Sequence, residues 1–105
     1  MINTIKNLFG MGSKTDYAQL VKEGAIILDV RSKREFESGH IRGSMNIPVD
    51  QLLNNLNKLK DKRKTIITCC ASGMRSASAK NLLKSKGYSE VYNGGGWSSL
   101  QGRLR

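Results

Sequence analysis

TIITCCASGMRS, residues 65–76, is the stretch from which the rest of the chain is read. Thr65, Ile66, Ile67 and Thr68 form a short β-favouring run directly after the charged KDKRK, as a buried parallel strand begins. From Ser76 the pattern turns helical: Ser76 to Ala79 are small, Ala79, Leu82 and Leu83 share a face, and Gly87 is the C-terminal stop. Between strand and helix lie the six residues from Cys70 to Arg75. A strand, a tight loop and a helix in that order turn the loop's backbone N–H groups inward at the helix N-terminus, which makes an anion site around a sulfur. The Cys70 thiol is therefore expected to ionise easily, because N–H donors, the positive end of the helix dipole and Arg75 all favour the thiolate. Gly73 lets so short a loop turn without steric penalty.

Upstream, Thr15 to Glu23 is expected to be a helix with Tyr17, Leu20 and Val21 on one side and Gly24 as its stop. Ala25-Ile26-Ile27-Leu28 is wholly apolar, the pattern of a central parallel strand covered on both faces. Asp29 and Arg31 then fall at the carboxyl end of that strand, the edge where ligands sit in open α/β sheets. Ser32 and Glu35 have the spacing of a capping box, opening a short helix through Phe36 that Gly39 ends. Residues 1–12 form an N-terminal extension and residues 13–105 the domain. Ile2, Ile5, Leu8 and Phe9 suggest an amphipathic turn that docks on the domain or frays rather than one that meets a membrane or partner, with Gly10, Gly12 and Ser13 as a hinge. The extension lacks the continuous apolar region and cleavage site of a secretory signal, and no stretch is long enough for a membrane span.

Downstream, Ser44 to Val49 is expected to be a second short strand, ended by Pro48, with Asp50 capping the next helix. Leu52, Leu53, Leu56 and Leu59 make a core stripe in that helix. Ser89 to Tyr92 is the expected last strand and Gly94-Gly95-Gly96 a tight loop. With no lysine partner and no helical fingerprint, these glycines indicate close approach of backbone to the Cys70 loop rather than a phosphate cradle. Trp97 begins a terminal helix and packs in the core or on the rim. Strands alternating with helices predict an α/β domain of three layers with a mainly parallel central sheet.

Three motifs in order resemble one family, the rhodanese-like sulfurtransferases. Its active loop, C-x-x-G-x-R, here reads Cys70-Ala71-Ser72-Gly73-Met74-Arg75. LDVRSKREFESGHIRGSMNIP, residues 28–48, is similar to the family's D-V-R, E-F and G-H-I signature through Asp29, Arg31, Glu35, Phe36, His40, Gly43, Asn46 and Pro48. VYNGGGWSSL, residues 91–100, is similar to its C-terminal Gly-Gly segment. The resemblance spans roughly residues 13–100 and implies about five strands with helices on both faces, a count that composition and periodicity do not supply.

The 105 residues suit one domain. Its two cysteines, being adjacent, cannot form a disulfide framework, so a reduced, cytoplasmic protein is expected. With 18 basic and 8 acidic side chains the formal charge is +10, which favours anionic substrates or acidic partner surfaces. KLKDKRK, residues 58–64, carries five positive residues, but the six aromatics are scattered rather than interleaved with basic ones, which argues for a solvated helix end and against nucleic acid binding.

Several side chains near the loop admit alternatives. Asp29 holds the active loop by accepting backbone hydrogen bonds, pairs with Arg31 or Arg75, or caps its own turn. Arg31 and Glu35, four residues apart, have the spacing of a modest ion pair. His40 is expected to be a buried, hydrogen-bonded turn residue, since the family resemblance gives it no role as a nucleophile's base. Cys69 is the expected last strand residue, an inert small hydrophobe, or else a thiol that protects Cys70 from over-oxidation. Counted from Cys69, however, the segment is also C-x5-R-S, the arithmetic of tyrosine phosphatases and arsenate reductases, whose longer loop fits a tetrahedral oxyanion.

The resemblance implies a sulfurtransferase. Cys70 takes the outer sulfur of a small anionic donor such as thiosulfate, holds it as a persulfide among the N–H groups of Ala71, Ser72, Gly73, Met74 and Arg75, and yields it to cyanide, a thiol or a protein cysteine. Arg75 is expected to add charge, and no metal or organic cofactor is needed. The rival readings are a non-catalytic binding module, a sulfur carrier loaded and unloaded by partner proteins, and the phosphatase-like enzyme that uses Cys69.

Overall fold

In the computed structural model, which describes residues 15–105, Asp16 starts the first helix by accepting a hydrogen bond from the Gln19 N–H at 3.0 Å, and α1 runs over Tyr17–Lys22. The apolar run follows as β1, Ile26–Asp29. The expected capping box then opens α2, Lys33–Glu37: Ser32 Oγ accepts from the Glu35 N–H at 3.2 Å, and Glu35 Oε1 accepts from the Ser32 N–H at 2.9 Å. The chain continues through β2 (Met45–Asn46), a 3₁₀ segment (Val49–Lys58), β3 (Ile66–Cys70), α3 (Met74–Ser85), β4 (Val91–Gly96) and α4 (Trp97–Gly102). All strand pairs are parallel, in the order β2-β1-β3-β4.

Side chains along a strand alternate between faces, and the sheet sorts its core accordingly. Leu28, Val30, Ile66 and Cys70 pack with Leu52, Leu59, Ala79 and Leu83 in the layer that holds α3 and the 3₁₀ segment. Ile27, Ile67 and Cys69 pack with Tyr17 and Leu100 in the layer that holds α1 and α4. These are the expected three layers. Each fully buried aliphatic side chain, Leu28, Ile66 and Leu83 among them, contributes about 1.5–3 kcal/mol of burial free energy.

Four expectations change. The sheet among the described residues has four strands rather than about five: β1 to β4 are the four that the residues themselves indicate, and the higher count rested on the resemblance alone. Gly94–Gly96 is not a loop but the end of β4, where the pairing with β3 shifts register so that Cys70 meets Gly96. Asp50 does not cap; Pro48 holds the N-cap position with no side-chain bond. Because the segment is 3₁₀ with a break at Asn55 (φ −126°, ψ 22°), its leucines do not share one face: Leu52 and Leu59 are buried, while Leu53 is 48% exposed. The expected N-terminal turn and hinge lie outside the described residues.

Candidate active site

β3 carries Cys70 to the carboxyl edge of the sheet, and α3 begins four residues later, with Gly73 as its N-cap at φ +105°. An L side chain is strained at that φ, which is why the turn needs glycine. The turn folds the backbone over the sulfur. Cys70 Sγ accepts from the Gly73 N–H at 2.9 Å and from the Ser76 N–H at 3.3 Å, and Ser76 Oγ lies 3.4 Å away. Cys70 is only 1% exposed. Burial pushes its thiol up, but the Ser76 hydroxyl and the N–H groups of Ser76, Gly73 and Ser72 outweigh burial and hold it below the ordinary thiol value. Of the loop residues, Ala71, Ser72 and Met74 have exposed side chains, Met74 at 79%.

Cys69, one residue earlier, points into the opposite layer, and burial followed by the Asp29 charge pushes its thiol up to about 12. The donor cradle is thus built around Cys70 and not around Cys69.

Arg75 is placed differently from the expectation. Its guanidinium grips Glu35 of α2 by two bonds, Nη1 to Oε1 at 2.7 Å and Nη2 to Oε2 at 3.0 Å, so its charge is neutralised rather than offered freely to the sulfur. The Arg75 bond, aided by the Ser32 N–H, holds the Glu35 carboxyl down at about 2. Arg31 correspondingly forms no side-chain pair with Glu35. It closes on Asp29, Nε to Oδ1 at 2.9 Å and Nη2 to Oδ2 at 2.7 Å, and donates to the carbonyls of Glu35 at 3.2 Å and Gly39 at 2.7 Å. Asp29 also accepts the Arg31 N–H at 3.1 Å. Of its possible roles, the Arg31 pair and the turn cap are the ones the geometry adopts, and both brace the β1–α2 connection. His40 is exposed rather than buried: it stacks on Phe36 with ring centroids 3.7 Å apart, and Nδ1 lies 2.7 Å from the Phe36 carbonyl. Trp97 lies under the Arg31 guanidinium, 4.7 Å from its centroid, and against Gly39.

The close approach expected of the glycines is present. A Cβ on Gly96 would stand 2.9 Å from the Ala71 carbonyl oxygen, and one on Gly73 would stand 3.6 Å from Gly95 Cα. Beside the loop, Val30, Ser32, Pro48, Val49, Asp50 and Arg75 line a cleft of about 240 Å³. Among the described residues no three His, Cys, Asp or Glu side chains gather as a metal site.

Three residues of this region had no place in the sequence reading of the site. Asn46 Nδ2 donates to the carbonyls of Asp29 and Arg31, both at 3.0 Å, and ties down the carboxyl end of β1. Ser76, fully buried, touches the sulfur with its N–H and its hydroxyl. Asn93 of β4 reaches Ser76 at 2.6 Å. The available signal lay in the motifs: Asn46 belongs to the signature of residues 28–48, Ser76 closes C-x5-R-S, and Asn93 falls in VYNGGGWSSL.

Comparison with known proteins bears on the family and the fold. Residues 13–102 match a family model described as Rhodanese-like domain. YqhL of Bacillus subtilis, named as an uncharacterized protein, is 37% identical over 82 residues, covering 77% of this chain and 64% of its own, so the chain spans just under two thirds of that relative. Thiosulfate sulfurtransferase PspE of Escherichia coli is 33% identical over 74 residues, covering 70% of this chain and 71% of its own. A solved structure described as a rhodanese with anions from Escherichia coli superposes with a TM-score of 0.68 at 30% identity, covering 71% of this chain and 89% of that one.

Proposed function

The chain belongs to the rhodanese-like domain family, and from that premise we propose that it is a sulfurtransferase whose Cys70 carries the sulfur. The observation that carries the reading is the Cys70 sulfur at a helix N-terminus with the Gly73 and Ser76 N–H groups aimed at it. In the first step the Cys70 thiolate attacks the outer sulfur of thiosulfate. A Cys70–sulfur bond forms, the sulfur–sulfur bond of thiosulfate breaks, and sulfite leaves with its electron pair. In the second, cyanide or a thiolate attacks the outer sulfur of the Cys70 persulfide and returns the thiolate. Charge balances in each step, and no cofactor takes part.

The persulfide's outer sulfur extends past Sγ toward the loop, so the N–H groups of Ala71 to Arg75 are its nearest donors, and losing one donor of this type costs about 10²–10³ in rate. Glu35 takes part through Arg75. By neutralising Arg75 it lowers the pull on a small free dianion, which favours a donor or acceptor that brings its own binding surface, such as a protein cysteine. The exposed Met74 at the loop supplies an apolar contact for such a partner. The net charge of +10 favours an acidic one. Two unbridged cysteines suit a reducing compartment, and among the described residues no helix is long and apolar enough to cross a membrane.

The test is intact mass after thiosulfate treatment of the wild type, Cys70→Ser and Cys69→Ser proteins, with cyanide added to a second aliquot. A gain of about 32 Da that needs Cys70, survives loss of Cys69 and vanishes with cyanide is the expected result. No sulfur uptake by the folded wild type, with phosphate-ester turnover that needs Cys69, would transfer the assignment to the phosphatase-like reading. Tight partner binding unchanged in Cys70→Ser, with no uptake, would transfer it to a binding module.

A further inference from the structure

Ser76 has one hydroxyl proton and three acceptors within reach. Its Oγ lies 2.6 Å from Asn93 Oδ1, 3.0 Å from the Gly73 carbonyl oxygen and 3.4 Å from Cys70 Sγ. The Asn93 amide is oriented by its other partner. The Gly95 N–H donates to Oδ1 at 2.9 Å, and the flipped amide would set two donors face to face. The shortest bond is therefore from the Ser76 hydroxyl to Asn93, which leaves the neutral Cys70 S–H to donate to Ser76 Oγ. A thiolate has no proton to donate. Once Cys70 ionises, the Ser76 contact is favourable only if the hydroxyl turns its proton from Asn93 Oδ1 to Sγ, while Oδ1 keeps the Gly95 N–H. Ser76 is fully buried, so water is a poor substitute for either partner.

We propose that Asn93 is a positioning residue that competes with the Cys70 sulfur for the single proton of Ser76, and so sets how readily that sulfur becomes anionic. The proposal rests on the sulfurtransferase reading only for what the anion does next. Charged groups leave the lever to this neutral couple. On α3 the nearest is Arg75, held by Glu35 of α2; β1 brings Asp29, held by Arg31; Asp50 lines the cleft beside Arg75; Cys69 lies behind in the other layer. β4 carries no ionisable side chain but Tyr92, whose ring packs edge-on against Tyr17 in that other layer.

The experiment follows the pH dependence of Cys70 alkylation by iodoacetamide, read by peptide mass, in the wild type and in Asn93→Ala, Asn93→Asp and Ser76→Ala, alone and combined. Asn93→Ala frees the proton for the sulfur and is expected to move the alkylation midpoint down by about one pH unit, whereas Ser76→Ala moves it up by a similar amount. Asn93→Asp keeps the proton on a stronger acceptor and moves the midpoint up. In the Ser76→Ala background the Asn93→Ala shift disappears and the Asn93→Asp shift shrinks to its long-range charge effect. An upward shift in Asn93→Ala, or shifts of equal size in both backgrounds, overturns the proposal. If Asn93→Ala does not fold, the Asn93→Asp comparison between backgrounds decides alone. Alkylation needs no sulfur donor. Midpoints that move as stated in a chain that takes no sulfur from thiosulfate leave the couple standing and remove the sulfurtransferase reading; sulfur uptake with unmoved midpoints does the reverse.

Discussion

Cys69 and Cys70 are covalent neighbours on one strand, yet the sheet gives them opposite chemistry. Strand alternation sends Cys69 into the layer of α1 and α4, among Tyr17, Ile27, Ile67 and Leu100, where burial and Asp29 oppose its ionisation. It sends Cys70 into the layer of α3, where the chain immediately folds back and offers N–H groups to the sulfur. Both thiols are buried, at 0% and 1% exposure. Burial therefore does not separate a structural thiol from a reactive one; the direction of the neighbouring dipoles does.

The largest effect that would break this contrast is a failure of selective alkylation. A shift from the ordinary 9.0 to about 12 lowers the Cys69 thiolate population by about 10³. In the native protein near pH 8, iodoacetamide is expected to label Cys70 and spare Cys69 by at least about that factor, with the two labelled alike after denaturation. Comparable native rates at the two positions would show that the layers do not differ as described.

Next in size are two glycine substitutions in β4 that separate the Cys70 loop from the Cys69 layer. A Cβ at position 96 meets the Ala71 carbonyl oxygen at 2.9 Å, so Gly96→Ala pushes on the Cys70 loop; sulfur uptake is expected to slow about 10²-fold, the cost of misplacing one anion donor. A Cβ at position 94 meets Ile67 Cγ2 at 2.9 Å and Leu100 Cδ2 at 3.0 Å, both side chains of the Cys69 layer. Gly94→Ala is expected to cost about 1–3 kcal/mol of stability, seen in denaturant or thermal unfolding, with the Cys70 alkylation midpoint unmoved. If Gly94→Ala moved that midpoint and Gly96→Ala left sulfur uptake intact, the assignment of position 96 to the Cys70 loop and of position 94 to the Cys69 layer would be wrong.

The physics that made part of this legible in the sequence is local. The Thr65–Thr68 run, the small residues after Arg75 and the Ser32–Glu35 spacing report on strand, helix and cap directly, and each element formed close to where its residues indicated. The direction in which Arg75 points is not local. Its partner Glu35 is 40 residues away, and only the tertiary fold brings them together. The glycines of β4 show a related limit: in isolation three glycines signal a turn, but here they let a strand continue where a Cβ at position 94 would meet Ile67, Leu100 and the Thr68 carbonyl, and one at position 96 the Ala71 carbonyl of the Cys70 loop. Leu53 shows the limit of a periodicity argument, since a leucine spacing that fits an α-helix exposes one of its members when the segment folds as 3₁₀ with a break. Ser76 closes the C-x5-R-S segment and Asn93 lies in VYNGGGWSSL, but neither motif pairs them; their importance lies in a 2.6 Å contact between residues 17 apart.

The smallest expected effect concerns the Arg75–Glu35 pair, which joins the Cys70 loop to α2 at the edge of solvent. Its side chains are 39% and 38% exposed, against 4% and 0% for the Arg31–Asp29 pair. The Glu35 carboxyl is lowered in the folded protein from 4.5 to about 2, chiefly by the Arg75 hydrogen bond. A lowered folded value means that the contribution to stability is complete above 4.5 and is lost as pH falls from there through about 2. Comparing the thermal midpoints of the wild type and Glu35→Gln from pH 6 down to pH 2 should therefore show two curves that converge as acid is added, because the substitution removes a contribution that acid also removes. Since solvent reaches the pair, molar salt should narrow the gap at pH 6, as it would not for a buried pair. Curves that stay parallel to pH 2, or a gap indifferent to salt, would mean that Glu35 braces the loop through its capping bonds to Ser32 and not through Arg75. The guanidinium would then be free to serve the sulfur after all.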